Sequence, residues 1–361
     1  MTILITCWFA IAGCGDRAMQ RASSEPWSTS DQSATRNTDG LPAQRPVVPM
    51  VVSGKTVYNR AMGVLTQAAS AEDPRLRANA VEALREGPAD ALRGASLVAL
   101  GDENRGVRFV AAVTVGDAEL CDLATLLEPL LLDESLSVRT AAMYALHRCG
   151  QSVDLSLLAM MLASDEPEWR ANAAMVLGRL GNPSAVSMLR AAVQKPMRGV
   201  SPIRRRLVNL QMAEALVQLG ERQELETIRA AIFSSAEEAE ATALACQIAG
   251  RLGDKDVSAN LRDLAAGMSP GRHGDEVRLV AAGAVAELAP TAVPIDAVLP
   301  FTSHHEPGLR AQAAAVLGSQ GNQLNLGPLA VLLADEDPLV QVAAASAVLQ
   351  ILDADALATA D

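Results

Sequence analysis

Aromatic residues are almost missing from this chain. Phenylalanine, tyrosine and tryptophan make up 2% of its 361 residues, although 50% of the chain is hydrophobic. Such a core must be filled by small aliphatic side chains. Alanine and leucine dominate instead, as expected where helices pack closely. Basic residues are also short: 30 Lys and Arg face 42 Asp and Glu, a formal net charge of −12. Nucleic-acid binding needs a basic footprint to displace counterions, so no nucleic-acid partner is expected. In residues 15–50, Asp16, Glu25, Asp31 and Asp39 balance Arg17, Arg21, Arg36 and Arg45, so the acidic excess belongs to the chain from 51 onward. Acidity by itself means mainly solubility.

The usual marks of chemistry are absent too. The five cysteines, Cys7, Cys14, Cys121, Cys149 and Cys246, form no C-x-x-C pair, so no zinc site is suggested. There is no G-x-x-x-x-G-K phosphate loop. The histidines are His147, His273, His304 and His305, and no Ser/His/Asp or Cys/His set is recognisable around them. No catalytic residue, metal, cofactor or small-molecule substrate is expected.

The apolar run from Ile3 to Ala12 falls short of the about 20 residues a membrane-spanning helix needs. It reads as the apolar region of a signal peptide over 1–13. It ends in Ile11-Ala12-Gly13-Cys14, which resembles the lipobox of bacterial lipoproteins. That resemblance implies lipidation of Cys14 and a bacterial envelope protein facing the periplasm. Gly15 rather than Asp follows the cysteine, which by the same analogy favours the outer membrane. Residues 14–52 form the lipidated N-terminus and a tether. The stretch is rich in Ser, Thr, Gln, Arg, Asp and Pro, with Trp27 as its sole aromatic residue. It has too little apolar surface to offset the entropy of ordering.

From about Lys55 the pattern becomes helical and repeats. The stretch Asp133 to Gly150 sets the unit: an acidic turn, Val138-Arg139, small and apolar residues at helical spacing, then glycine. Arg77, Arg108, Arg139 and Arg170 are each separated by 31 residues (108−77, 139−108, 170−139). A fixed period in this range marks a stacked repeat array. Nine helix pairs are expected over 53–361, with second helices centred on Arg77, Arg108, Arg139, Arg170, Asn209, Thr242, Arg278, Arg310 and Gln341. Glycines 150, 181, 220, 253 and 321 fall where those helices end and a left-handed cap is needed.

These residues resemble HEAT repeats, in the short form found in phycobilisome-lyase-like proteins. The resemblance covers roughly 55–351 and implies an all-α fold, an α-α superhelix. It also implies a ladder in which turn aspartates and second-helix arginines join adjacent repeats. Asp102 with Arg108 and Asp133 with Arg139 match the six-residue spacing of that ladder. Asp165 with Arg170 is one residue short, and Asn209, Thr242 and Gln341 interrupt it. Arg77, Arg170, Arg278 and Arg310 occupy the remaining ladder positions. His305-Glu306 resembles one His-Glu step of deoxyhypusine hydroxylase, a HEAT-repeat di-iron enzyme. No second such step occurs, so no metal site follows from it.

Two further features stand out. Met197 to Arg206 lies in the longest interval between repeats and gathers Arg198, Arg204, Arg205 and Arg206. Guanidinium forks suit carboxylate or phosphate, so these are candidate contacts for an acidic protein partner. The alternative is a solvated insertion paired with nearby acids. Cys121 lies near the start of a first helix and Cys149 at the end of its partner, 28 residues apart (149−121). An antiparallel pair brings such ends together, and an oxidising compartment would keep a disulfide. In the alternative, Cys149 replaces Leu180, Leu219 and Leu252 as a small core hydrophobe. Cys246 is left free.

The expected function is a non-enzymatic, membrane-tethered protein-interaction scaffold, since a solenoid offers a long surface of successive helices. The competing readings are a HEAT-repeat enzyme, either bilin lyase-like or di-iron hydroxylase-like, and a structural envelope protein without a client.

Overall fold

The computed structural model describes residues 53–269 and 273–352. The proposed signal peptide, the tether and Cys14 lie outside the described residues. Within them are eighteen α-helices and no strand. They form nine pairs: α1 Gly54–Ala68 and α2 Pro74–Ala83; α3 Ala89–Ala99 and α4 Arg105–Asp117; α5 Ala124–Leu127 and α6 Leu136–Arg148. Next come α7 Ser156–Leu162 and α8 Pro167–Leu180; α9 Val186–Gln194 and α10 Pro202–Gln218; α11 Leu225–Ile232 and α12 Ala239–Arg251. The last are α13 Ser258–Ala265 and α14 Asp275–Leu288; α15 Ile295–Val298 and α16 Pro307–Ser319; α17 Leu326–Leu332 and α18 Pro338–Ile351. All nine ladder positions fall in second helices.

Local chemistry sets the ends. Pro74, Pro167, Pro202, Pro307 and Pro338 open second helices, where a missing N–H costs nothing. Asp73, Asn104 and Asp337 accept amide hydrogens two residues on as N-caps. Gly150, Gly181, Gly220, Gly253 and Gly321 all have φ between 66° and 101°, the left-handed cap their spacing implied. Each stands eleven residues after its ladder position. Glu119 fills the same position after α4 at φ 52°, without the freedom of glycine.

First helices bury one stripe, as Val57, Ala61, Leu65 and Ala68 do in α1. Second helices are buried nearly all round; α6 hides Thr140 through Leu146 without a break. A helix apolar on all sides belongs in the interior, so the second helices form the inner layer and the first helices the outer one.

The superhelix closes on itself. α18 packs against α1 and α2 as it does against its own neighbours α16 and α17. At this seam Leu349 lies beside Gly87 and Met62, and Asp337 acts electrostatically on Arg75. Nothing in the repeat period announces closure, because it depends on the small rotation accumulated at each step.

Candidate binding cavity inside the helical ring

Closure turns the concave face into an enclosed lumen. Nine residues after the ladder position, every second helix or its end carries a polar side chain: Glu86, Asp117, Arg148, Arg179, Gln218, Arg251, Glu287, Ser319 and Gln350. All but Glu86 and Gln350 line one of two cavities. This register was legible as one polar position recurring in otherwise apolar helices, and the sequence reading missed it.

The larger cavity, of about 610 Å³, is walled by α2, α4, α6, α8, α10 and α12. That is the size class of small-molecule sites. The inner helices run parallel, so their C-terminal ends share one mouth of the cavity. There Asp117 accepts hydrogen bonds from Tyr144 Oη (2.6 Å), Arg85 Nη1 (3.2 Å) and Arg179 Nη1 (3.1 Å). Arg179 also lies over the Tyr144 ring, 5.9 Å from its centroid. Burial first, and then the Asp117 charge, push the Tyr144 phenol up to about 12, so it stays a donor at neutral pH. Arg251 clasps Glu214 with two hydrogen bonds of 2.9 Å. At the other mouth Arg105 pairs with Glu168 (3.3 Å), and Glu168 also accepts from Ser137 Oγ (2.8 Å). Between the mouths lies an apolar waist of Val110, Val113, Met175, Leu207 and Val208.

The smaller cavity, of about 40 Å³, is formed by α12, α14 and α16. Gln247, Glu287 and Gln312 each bring to it a side-chain oxygen that is buried and accepts no hydrogen bond. Burial, with help from Glu214, raises the Glu287 carboxyl above its ordinary range, and Arg251 opposes the shift.

Close packing sets the spacing of the lumen wall. A Cβ on Gly116, Gly178, Gly250 or Gly318 would lie 2.6–3.1 Å from the Cα of Ala145, Ala215, Ala284 or Ala347 in the next inner helix. These glycines therefore join α4 to α6, α8 to α10, α12 to α14 and α16 to α18, every second junction around the ring.

No protein-family model matches this chain, and no curated protein is significantly similar to it. Among solved structures, the complex of CpcE and CpcF of phycocyanin lyase from Nostoc sp. PCC7120 is 17% identical, with a TM-score of 0.36. The match covers 69% of this chain and 91% of that one. Human deoxyhypusine hydroxylase in complex with glycerol is 15% identical, with a TM-score of 0.35, over 82% and 97%. An engineered protein is 18% identical, with a TM-score of 0.32, over 82% and 94%. The first two are HEAT-like helical-repeat proteins. At this level of similarity no activity passes from them to this chain.

The ladder is present in a specific form. Arg77, Arg108 and Arg310 each grip the aspartate 25 residues on, Asp102, Asp133 and Asp335, through Nε and Nη2 at 2.7–3.0 Å. The six-residue spacing is a different contact. Arg108 donates Nη1 to the carbonyl of Asp102 and Arg139 donates Nε to that of Asp133, while those carboxylates serve the preceding repeat. Arg139, Arg170 and Arg278 find Ser164, Lys195 and Ser303 at the 25-residue offset, so they make no rung. Fully buried Arg170 turns to the carbonyls of Ala192 and Lys195, and Arg278 pairs locally with Asp275. Arg229 of an outer helix supplies a replacement rung to Asp254.

The basic segment does not form one patch. Arg206 reaches the next repeat, donating to Glu238 and Ser234 at 2.7 Å. Arg198, Arg204 and Arg205 are all exposed, Arg204 at the edge of the large cavity. Cys121 and Cys149 are joined in a disulfide with a Cα–Cα distance of 5.3 Å, and Cys246 is a buried free thiol. His304 and His305 sit in an exposed turn, where His304 Nδ1 accepts the Glu306 amide. Among the described residues no three His, Cys, Asp or Glu side chains are grouped to hold a metal ion. No described helix is long and apolar enough to cross a membrane.

Proposed function

We propose that this chain is a non-enzymatic interaction protein of the bacterial cell envelope. A lipid on Cys14 tethers it, and it holds a protein partner against the outer rim of its helical ring. One observation carries this reading: apolar side chains stand exposed at matching places on three of the outer helices, α3, α7 and α17. Val98, Met160 and Val331 each lie ten residues before a ladder position and are 67%, 49% and 66% exposed; Leu132, between the first two, is 84% exposed. Large apolar side chains repeated on one rim favour contact with another protein. Closure supports the same choice, since the concave groove that an open solenoid uses is sealed here and leaves the rim as the available surface. Several acyl chains of the lipoprotein type anchor stably where one binds marginally. A two-dimensional search on the membrane would then suit a partner in the same envelope.

Photocrosslinking residues placed at Val98 and Met160 in cells test the proposal. One dominant protein crosslinked from both sites supports it, and Cys14→Ser should release the protein from membranes. No crosslinked partner from either site would leave the structural-envelope reading in its place.

A further inference from the structure

The lining of the large cavity is close to neutral although the molecule is acidic. The chain carries −12 in total, yet the cavity wall has five arginines (85, 148, 179, 204, 251) against four carboxylates (82, 117, 168, 214), an excess of one positive charge (5−4). Most of these charges are matched. Arg251 holds Glu214, Arg105 holds Glu168 and Arg148 holds Glu119. Arg85 also meets Glu86 at 3.9 Å, so Arg85 and Arg179 at the C-terminal mouth face Glu82, Glu86 and Asp117, while Arg204 stands exposed near the start of α10 at the opposite mouth. Each of Arg85 and Arg179 gives Asp117 only its Nη1. A guanidinium carries five N–H donors, and among the described residues Nε and Nη2 of both make no hydrogen bond. Arg204 makes no side-chain hydrogen bond or ion pair among them, its backbone N–H being taken by Ser201. A half-buried guanidinium with unused donors is a poor final state for that group and a good receptor for an oxyanion.

The apolar waist supplies the other half of a recognition site. Val110, Val113, Met175, Leu207 and Val208 are continuous with the arginine mouth, and a half-buried methionine adapts to an irregular chain. Charged donors at one end and an apolar passage behind them complement a molecule with the same division.

We propose that the lumen binds an amphipathic anion, its carboxylate or phosphate head held by Arg85, Arg179 and the Tyr144 side and its single apolar chain lying along the waist. The head competes with Asp117 for both guanidiniums, so Asp117 sets the affinity by opposing it. Glu82 on the same wall acts in the same sense. This site is independent of a protein partner on the rim, and either can fail without the other.

Calorimetric titration of the full chain with sodium laurate and with dodecyl phosphate tests the proposal; the two heads tell a carboxylate from a phosphate ligand. One-to-one binding of at least one of them is expected, with 1-dodecanol bound about tenfold more weakly or worse and with affinity falling as salt rises. Arg179→Gln and Arg85→Gln should each weaken binding about tenfold or more, and Asp117→Asn should strengthen it. If the arginine variants fail to fold by circular dichroism, the dodecanol comparison and the salt dependence on the unaltered chain decide. No binding of either anion at millimolar concentration overturns the proposal. Dodecanol binding as tight as laurate, or Asp117→Asn binding more weakly while folded, overturns it as well.

Discussion

Leu349, in the last inner helix, sits 3.2 Å from where a Cβ on Gly87 of the first repeat would be. Residues 262 apart in sequence (349−87) thus meet as neighbours, and this contact makes the array a ring. No ladder rung secures it. Gln341 stands where other repeats carry arginine, and Ala71 stands where Asp102 and Asp133 stand in theirs. The seam is held by apolar packing and by the attraction of Asp337 for Arg75.

Glycines inside helices separate close packing from helix propensity. Gly178→Ala should lower stability by about 1–3 kcal/mol, because its Cβ meets the Ala215 Cα at 2.9 Å and the backbone must move. Gly63→Ala and Gly94→Ala, with nothing within 4 Å, should raise it by about 0.5–1 kcal/mol. Urea melts of the three variants check this. Equal gains in all three would contradict close packing of α8 on α10.

Much of this was legible. The 31-residue period located the second helices from Arg77 to Arg170 and the recurring helical pattern the other five at intervals of 31 to 39 residues, and the glycines eleven residues after Arg139, Arg170, Asn209, Thr242 and Arg310 marked the ends of five of them. Periodicity reports contacts between neighbouring repeats, and such contacts generate those signals. Closure is a sum of small rotations with no residue of its own. The lumen was hidden for a related reason. Arg148 and Arg179 read singly as helix-end cations that suit the macrodipole and Asp117 as a solvated acid, and only the ring places them together. The run of Arg204, Arg205 and Arg206 shows how little one stretch of sequence says about placement: consecutive residues on a helix point in different directions, so this one serves a link to the next repeat, the cavity wall and solvent.

The Cys121–Cys149 bond closes α5 and α6 into a loop. Peptide mapping without reductant should recover the two as one linked peptide and leave Cys246 as the thiol among the three. Cys149→Ser should cost roughly 3–4 kcal/mol in the chain-entropy account. Labelling of both Cys121 and Cys149 by a thiol reagent in the unfolded, unreduced chain would refute the bond.

Glu287 gives a pH dependence with a definite sign. Its folded carboxyl is raised above the ordinary value of 4.5, by burial foremost. The native state therefore binds the proton more tightly than the unfolded chain does. Its contribution to stability is fully present below about pH 4.5 and is lost as pH rises through the raised value. Glu287→Gln should accordingly melt above the unaltered protein at pH 8, and the gap should narrow as the pH falls to 4. A gap that widens on acidification would contradict the buried, proton-retaining carboxyl.

The ring itself is tested most directly by distance. With Cys7, Cys14 and Cys246 changed to Ser, nitroxides at Glu72→Cys and Glu336→Cys would report on matching exposed turns of the first and last repeats. Inner helices pack at about 8–10 Å, so an open array of nine would hold these turns roughly 70 Å apart. Closure predicts a single narrow distribution at the separation of adjacent helices, roughly 10 Å plus the label arms. Double electron–electron resonance showing a long or broad distribution would contradict the ring, and with it the enclosed lumen.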